Sequence, residues 1–162
     1  MKIIITFSII LFSILLSYSQ TDEKLYFNDD GEKIYLATEV ESKPELVEGM
    51  KAFGKYYFKN LEAPDFHLKN IKQYFAVLIE INGTISKVTF VNQEVEYCKL
   101  KVVNTKSEAD DDKFMEDEII RYKEENIRLL KEYKGKWKSA KKEGKLVRCQ
   151  IIFPFVTQTD LE

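Results

Sequence analysis

Few side chains here are able to do acid–base, nucleophilic or metal chemistry: one histidine, His67, two cysteines, Cys98 and Cys149, and several runs of acids. His67 follows Pro64 on a polar stretch, with Asp65 two positions away, and this local sequence supplies none of the partners that a general base or metal ligand needs. Asp29-Asp30-Gly31 opens like a calcium loop but lacks the later ligands, and reads as a solvated turn. Glu108, Asp110, Asp111 and Asp112 stand just before an amphipathic stretch, where acids suit a helix N-terminus. No Cys-x-x-Cys, Gly-x-Gly-x-x-Gly, Gly-x-Ser-x-Gly or phosphate-loop motif occurs. The common catalytic constellations are therefore missing. A binding protein without metal or cofactor is expected, not an enzyme.

The cysteines gain meaning from the first residues of the chain. Met1-Lys2 is a minimal positive region, Ile3 to Leu16 is an uncharged apolar run of 14 residues, and Ser17-Tyr18-Ser19 offers small residues at a cleavage point. A membrane anchor would want about 20 apolar residues. Residues 1–19 thus read as a signal peptide, which makes the mature chain an exported, periplasmic or secreted, soluble protein. In an oxidising compartment Cys98 and Cys149 are a candidate disulfide, and closing that loop would stabilise the fold by roughly 4 kcal/mol. The alternative is that Cys149, on one face with Val147 and Ile151, is a small apolar core residue.

Length and composition set the elements that must carry any site. The chain has 162 residues, 44% of them hydrophobic, which suits one folded domain. Lysine plus arginine number 25 against 27 acids, so no strong positive field exists to draw nucleic acid. Residues 20–39 are polar, and Leu25-Tyr-Phe27 with Lys33 to Leu36 flank an Asp-Gly turn, which predicts a short N-terminal hairpin. Met50, Phe53, Tyr57 and Leu61 repeat at helical spacing from Pro44 onward. Tyr74 to Val91 is a hairpin about Asn82-Gly83, expected as a type I′ turn, with Phe75, Val77, Ile79, Ile81, Val88 and Phe90 on its core face. Its other face, from Tyr74, Ala76 and Leu78 to Thr89, is mixed and reads as half-solvated. Residues 92–113 read as a polar connection with a β-like stretch at Leu100 to Val103. A second helix follows from Lys113 to Tyr133, with Ile120, Ile127 and Leu130 as one stripe and Ile119, Tyr122, Leu129 and Tyr133 beside it. Leu146 to Phe155 is a last strand with Val147, Cys149, Ile151, Phe153 and Phe155 on one side.

Several passages in this order are similar to the C-terminal domain of TonB-like energy-transducing proteins. Val40-Glu41-Ser-Lys-Pro44-Glu45-Leu46-Val-Glu-Gly49-Met50-Lys-Ala-Phe53 resembles the opening of that domain. Asn60-Leu61-Glu-Ala-Pro64, Ile79-Glu-Ile-Asn-Gly83-Thr-Ile85, Lys136-Trp137 through Gly144 to Val147, and Ile151-Ile-Phe-Pro154-Phe resemble its later features. The chain departs from the pattern at Leu46, Glu48 and Ser139-Ala140, and shows no Pro-rich linker. The resemblance implies an α+β fold over residues 40–162, a small three-stranded antiparallel sheet with two helices on one face in the order helix-strand-strand-helix-strand. It also implies binding of an extended segment of an envelope protein or outer-membrane receptor by β-strand addition. The implied edge is the last strand, Leu146, Val147, Arg148, Cys149, Gln150, Ile151 and Ile152, with Arg148 and Gln150 offered to the incoming chain. A structural envelope protein that uses the same edge to form a homodimer is the alternative.

One intact-mass measurement on protein purified from its native envelope, denatured and alkylated without reduction, checks both expectations. The mass should begin at Gln20 or Thr21; a membrane-bound chain still carrying Met1-Lys2 overturns export. No alkylated thiol demonstrates the bridge, and two demonstrate its absence.

Overall fold

Phe75 to Ile79 are all buried, so the middle of this strand is covered on both faces, whichever way each side chain points. That burial requires strands on either side and layers above and below. The computed structural model describes residues 24–28, 31–62, 68–97 and 108–158, and shows how both are met. Among them the elements run β1 (Ile34–Leu36), β2 (Glu45–Leu46), α1 (Gly49–Asn60), β3 (Leu68–Ile79), β4 (Ile85–Tyr97), α2 (Glu108–Glu132), β5 (Trp137–Lys138), β6 (Ala140–Lys142) and β7 (Lys145–Gln158).

The sheet order is β1-β7-β3-β4, with β6 also paired to β7, and β2 with β5 forms a separate two-stranded ribbon. β1 lies parallel to β7, placing Ile34 beside Arg148 and Leu36 beside Gln150, while the other pairings are antiparallel. The expected three-stranded antiparallel sheet is therefore corrected to a mixed sheet of five strands. The N-terminal hairpin is corrected with it. Ile34–Leu36 finds its partner in β7, where Ile34 is buried with Phe27, Ala76 and Leu78, and a hairpin of two very short strands offers no such cover.

The helix-bearing face follows the expected alternation. Phe75, Val77, Ile79, Phe153 and Phe155 meet Phe53 and Tyr57 of α1 and Leu129 and Leu130 of α2. α1 starts at Gly49, because residues 45–46 first pair with β5, and Met50 stays largely exposed. On α2 the buried stripe is Ile119, Tyr122, Asn126, Leu129 and Leu130, whereas Ile120 is 46% exposed. Counting apolar residues alone misplaces this stripe, because its central member is an asparagine. The polar run 92–97, expected as connection, continues β4: Gln93 bonds Gln73 and Glu94 pairs with Lys72. The β-like Leu100–Val103 lies outside the described residues.

The turn expected in the β3–β4 hairpin is corrected. At Asn82-Gly83 the Gly83 N–H donates to Glu80 O and the Thr84 N–H to Asn82 Oδ1, and of the pair only Gly83 has positive φ. This is a type I turn closed by a left-handed glycine, not type I′. It leaves Ile81 in the turn, 47% exposed, and Ser86 as an extra residue on β4 that turns Ile85 towards the core. Val77 opposite Val88 and Phe75 opposite Phe90 hold as expected. The type I′ pair is Glu143-Gly144 between β6 and β7, with φ of 51° and 73°. Gly83 also has no alternative on packing grounds, since a Cβ there would lie 2.0 Å from the Trp137 carbonyl oxygen.

A chain of hydrogen bonds crosses the core. Tyr57 Oη donates to Asn126 Oδ1 at 2.8 Å and meets Tyr122 Oη at 2.8 Å, and Asn126 Nδ2 donates to Gln73 Oε1 at 2.9 Å. Burial, then the neighbouring Tyr122, holds the Tyr57 phenol protonated well above its ordinary value of 10.0. The folded state therefore keeps a proton that the unfolded chain loses above pH 10, so this stability is intact below pH 10 and falls as pH rises further. Tyr57→Phe should cost about 1–3 kcal/mol at neutral pH by leaving Asn126 Oδ1 without its donor. It should also flatten the alkaline loss of stability; urea unfolding of variant and parent at neutral and alkaline pH checks both.

Candidate functional site

β7 has two sides. Cys149 to Gln158 pair with β3 on the inner side. On the outer side, away from β3, Arg148–Gln150 pair with β1, and Lys145–Val147, beyond the end of β3, pair with β6. Of the seven residues expected to form a binding edge, five thus have a strand beside them, and Ile151 and Ile152 have none on the outer side among the described residues. The alternation is as expected: Cys149, Ile151 and Phe153 turn to the helix side, Arg148, Gln150 and Ile152 to the opposite side. That opposite face, however, is not open to solvent. Leu146 is 54% exposed, but Arg148 and Gln150 are buried.

What covers them is the chain's own N-terminal stretch. The Gln150 side-chain amide donates through Nε2 to Lys24 O at 2.8 Å and accepts through Oε1 from the Tyr26 N–H at 2.7 Å. One side chain therefore binds the backbone of the N-terminal stretch at two positions two residues apart, just before the bend at Phe27. One residue further, Phe27 is buried against Ala76 and Leu78, with Ile152 and Val91 beside it. The chain returns through Glu32, whose carbonyl accepts from Arg148 Nη1 at 3.2 Å, and then enters β1.

Arg148 is held from beneath by Glu80. Its Nε reaches Glu80 Oε2 at 2.8 Å and its Nη2 reaches Glu80 Oε1 at 3.0 Å, a two-pronged pair that also receives the Ser86 hydroxyl. Ser86 is the extra residue of the β4 bulge, so the turn chemistry at Asn82-Gly83 sets this contact. Arg148 is an anchor for the sheet and the N-terminal stretch, not a side chain offered to solvent. Glu80, Lys24, Tyr26, Phe27 and Ile34 were not anticipated as parts of the site. The signal for them was the apolar pair Phe27 and Ile34 in an otherwise polar segment.

Cys149 is buried, its Sγ 3.6 Å from Gln150 O, and its expected partner Cys98 lies outside the described residues, as do the signal peptide, His67 and Asp29-Asp30. Among the described residues no group of three His, Cys, Asp or Glu side chains is placed to hold a metal. No helix among them is long and apolar enough to cross a membrane. No protein-family model, no curated protein and no solved structure matches this chain.

Because Arg148 is buried and paired with Glu80, reversing it is not a surface change. Arg148→Glu should destabilise the fold by about 3–5 kcal/mol, since it leaves Glu80 facing a second acid. The double exchange Glu80→Arg with Arg148→Glu should recover part of that loss. Urea unfolding of the two variants checks it; equal loss in both shows that the pair is not coupled.

Proposed function

We propose that this chain is an exported protein-binding module, without catalytic activity, that takes an extended segment of an envelope protein as an added β-strand. The observation that supports it is the outer side of β7, where Gln150 binds the backbone of Lys24 and Tyr26 and a three-residue strand pairs in parallel. A surface that recognises extended backbone through a buried amide, with an apolar recess beside it for one aromatic ring, has the parts that strand addition needs. Backbone bonds give affinity there, and the recess gives selectivity.

The resemblance of residues 40–156 to the TonB C-terminal domain supports the same reading and names a class of partner, a segment of an outer-membrane receptor in the periplasm. A second reading, self-association, is favoured at a different place. No described strand pairs with the outer side of β4, and a strand with an unpaired side is a template for another copy.

Site-specific photo-crosslinking in the native envelope tests this. A benzoylphenylalanine at Leu146, beside the outer side of β7, should yield an adduct with a discrete envelope protein, mapping to one short contiguous segment. The same group at Ile120, exposed on α2, should not. Adducts with a second copy alone favour self-association, and adducts confined to the same chain overturn the reading.

A further inference from the structure

The outer side of β7 is already filled. Lys24–Phe27 sits on Gln150, Phe27 and Ile34 fill the recess above Ala76 and Leu78, and β1 occupies the backbone of Arg148–Gln150. Among the described residues this stretch is tied to β7 over a short span, by the two bonds of Gln150, the Arg148 bond to Glu32 O and three residues of parallel pairing. By contrast β3 and β7 are paired over ten residue positions, from Ile79 opposite Cys149 to Asn70 opposite Gln158. The stretch is thus held at one short site while the sheet beneath it is continuous without it.

We infer that the described parts of this stretch, residues 24–28 and 31–36, are a displaceable occupant of the recognition site, built into the chain, and that a partner binds where they now lie. The inference rests on the strand-addition reading and adds two things to it: what must leave, and what the entering segment must resemble. Its backbone is extended, so that Gln150 can bind a carbonyl and an N–H two residues apart. Its next residue is a large apolar or aromatic one, taking the place of Phe27. Side chains at the positions of Leu25 and Tyr26, both more than a third exposed, are free to vary. An acidic or hydroxylated residue at the Phe27 place is rejected, since it would be buried against Ala76, Leu78 and Ile152 without a polar partner.

The occupant sets an affinity threshold. A site filled by its own segment for all but a small fraction of the time binds any ligand weaker by that fraction. Segments that lack the aromatic are then excluded, while one delivered close by, or matching better than Phe27, displaces the occupant.

The test uses the full mature chain and a fluorescein-labelled synthetic peptide of residues 22–38 of this same sequence, measured by anisotropy. A variant with Phe27→Ser and Ile34→Ser, checked for folding by circular dichroism, should bind the peptide at least about tenfold more tightly than the parent chain. The same peptide with Phe27 replaced by serine should lose that binding. Equal binding by folded variant and parent, or binding indifferent to Phe27 in the peptide, overturns the inference. If the variant does not fold, hydrogen exchange on the parent chain decides. Amides of Ile34–Leu36 should exchange at least about a hundredfold faster than those of Phe75–Ile79, by local release. Exchange of both at one common rate overturns it. Peptide capture with no crosslinked envelope protein leaves the occupant in place and defeats the function. An envelope partner bound equally by parent and folded variant does the reverse.

Discussion

The fold hangs on Asn126. A fully buried amide must find partners for both its oxygen and its nitrogen, and Asn126 finds them on two other elements, Tyr57 of α1 and Gln73 of β3. Gln73 passes the chain on to Gln93 of β4 at 3.1 Å. Sliding α2 by one turn, about 5.4 Å, would leave the buried Asn126 and Tyr57 side chains without these partners and Gln73 Oε1 without its donor. The register of α2 is therefore specified by chemistry more sharply than the adaptable packing of Leu129 and Leu130 would specify it. Other contacts follow from that register. Arg128, two residues on, reaches the carbonyl of Asn60 at the end of α1 at 3.1 Å, and Tyr56 Oη donates to Leu129 O at 3.0 Å. Glu125 closes the same corner by accepting from the Glu62 N–H at 3.1 Å, and its hydrogen bond with Arg128 draws its carboxyl below the usual range.

With the helix face fixed, β3 still presents Ala76 and Leu78 on its other side. Both are buried, and the cover comes from residues 24–36. The two layers are unequal in kind. On the helix side a continuous aromatic cluster forms in which Phe53 and Tyr57 of α1 and Phe153 and Phe155 of β7 lie ring to ring, with centroids 4.9–6.2 Å apart. The N-terminal layer brings Phe27, Ile34 and a few backbone bonds. A sheet with one face sealed by helices and the other closed by a short stretch can lose the second cover and keep its architecture. It cannot do so without exposing apolar surface, so whatever replaces the stretch must itself carry an apolar side chain.

The sequence made the helix face legible because period two and period 3.6 both leave a trace when one side is buried and the other wet. Phe75, Val77 and Ile79 alternate cleanly, as do Cys149, Ile151, Phe153 and Phe155, and both helices are found where their stripes lie. The same logic misled wherever burial was polar or two-sided. Asn126 and Gln73 are core residues that an apolar count passes over, and Ile120, expected in the α2 stripe, gives way to Ile119, Tyr122 and Leu129, expected beside it. Ala76 and Leu78 looked like the apolar share of a mixed surface, because their cover is contributed from 40 or more residues away. The turn at Asn82-Gly83 was misjudged for a local reason: Asn82 bonds the Thr84 N–H through its side chain and so keeps an ordinary φ. Ile34–Leu36 is legible as a strand, but its partner is not, since that partner runs parallel and is more than a hundred positions away.

The resemblance to a receptor-binding domain places the ligand on the last strand, and the fold places the chain's own segment there. These are compatible if the segment is read as a ligand mimic and not as a permanent fifth strand. Were the outer side of β7 filled for 99 parts in 100, a partner would lose about 2.7 kcal/mol of apparent affinity, roughly a hundredfold. A micromolar segment would then go unbound at ordinary concentrations, yet one tethered nearby at millimolar effective concentration would still be captured. Strand addition recognises mainly backbone, which every unfolded or extended segment in an envelope can offer. A module that binds backbone needs some means of refusing most of it. An occupant with an aromatic anchor provides that refusal through the recess over Ala76 and Leu78, because a competing segment must supply both the extended backbone and the ring.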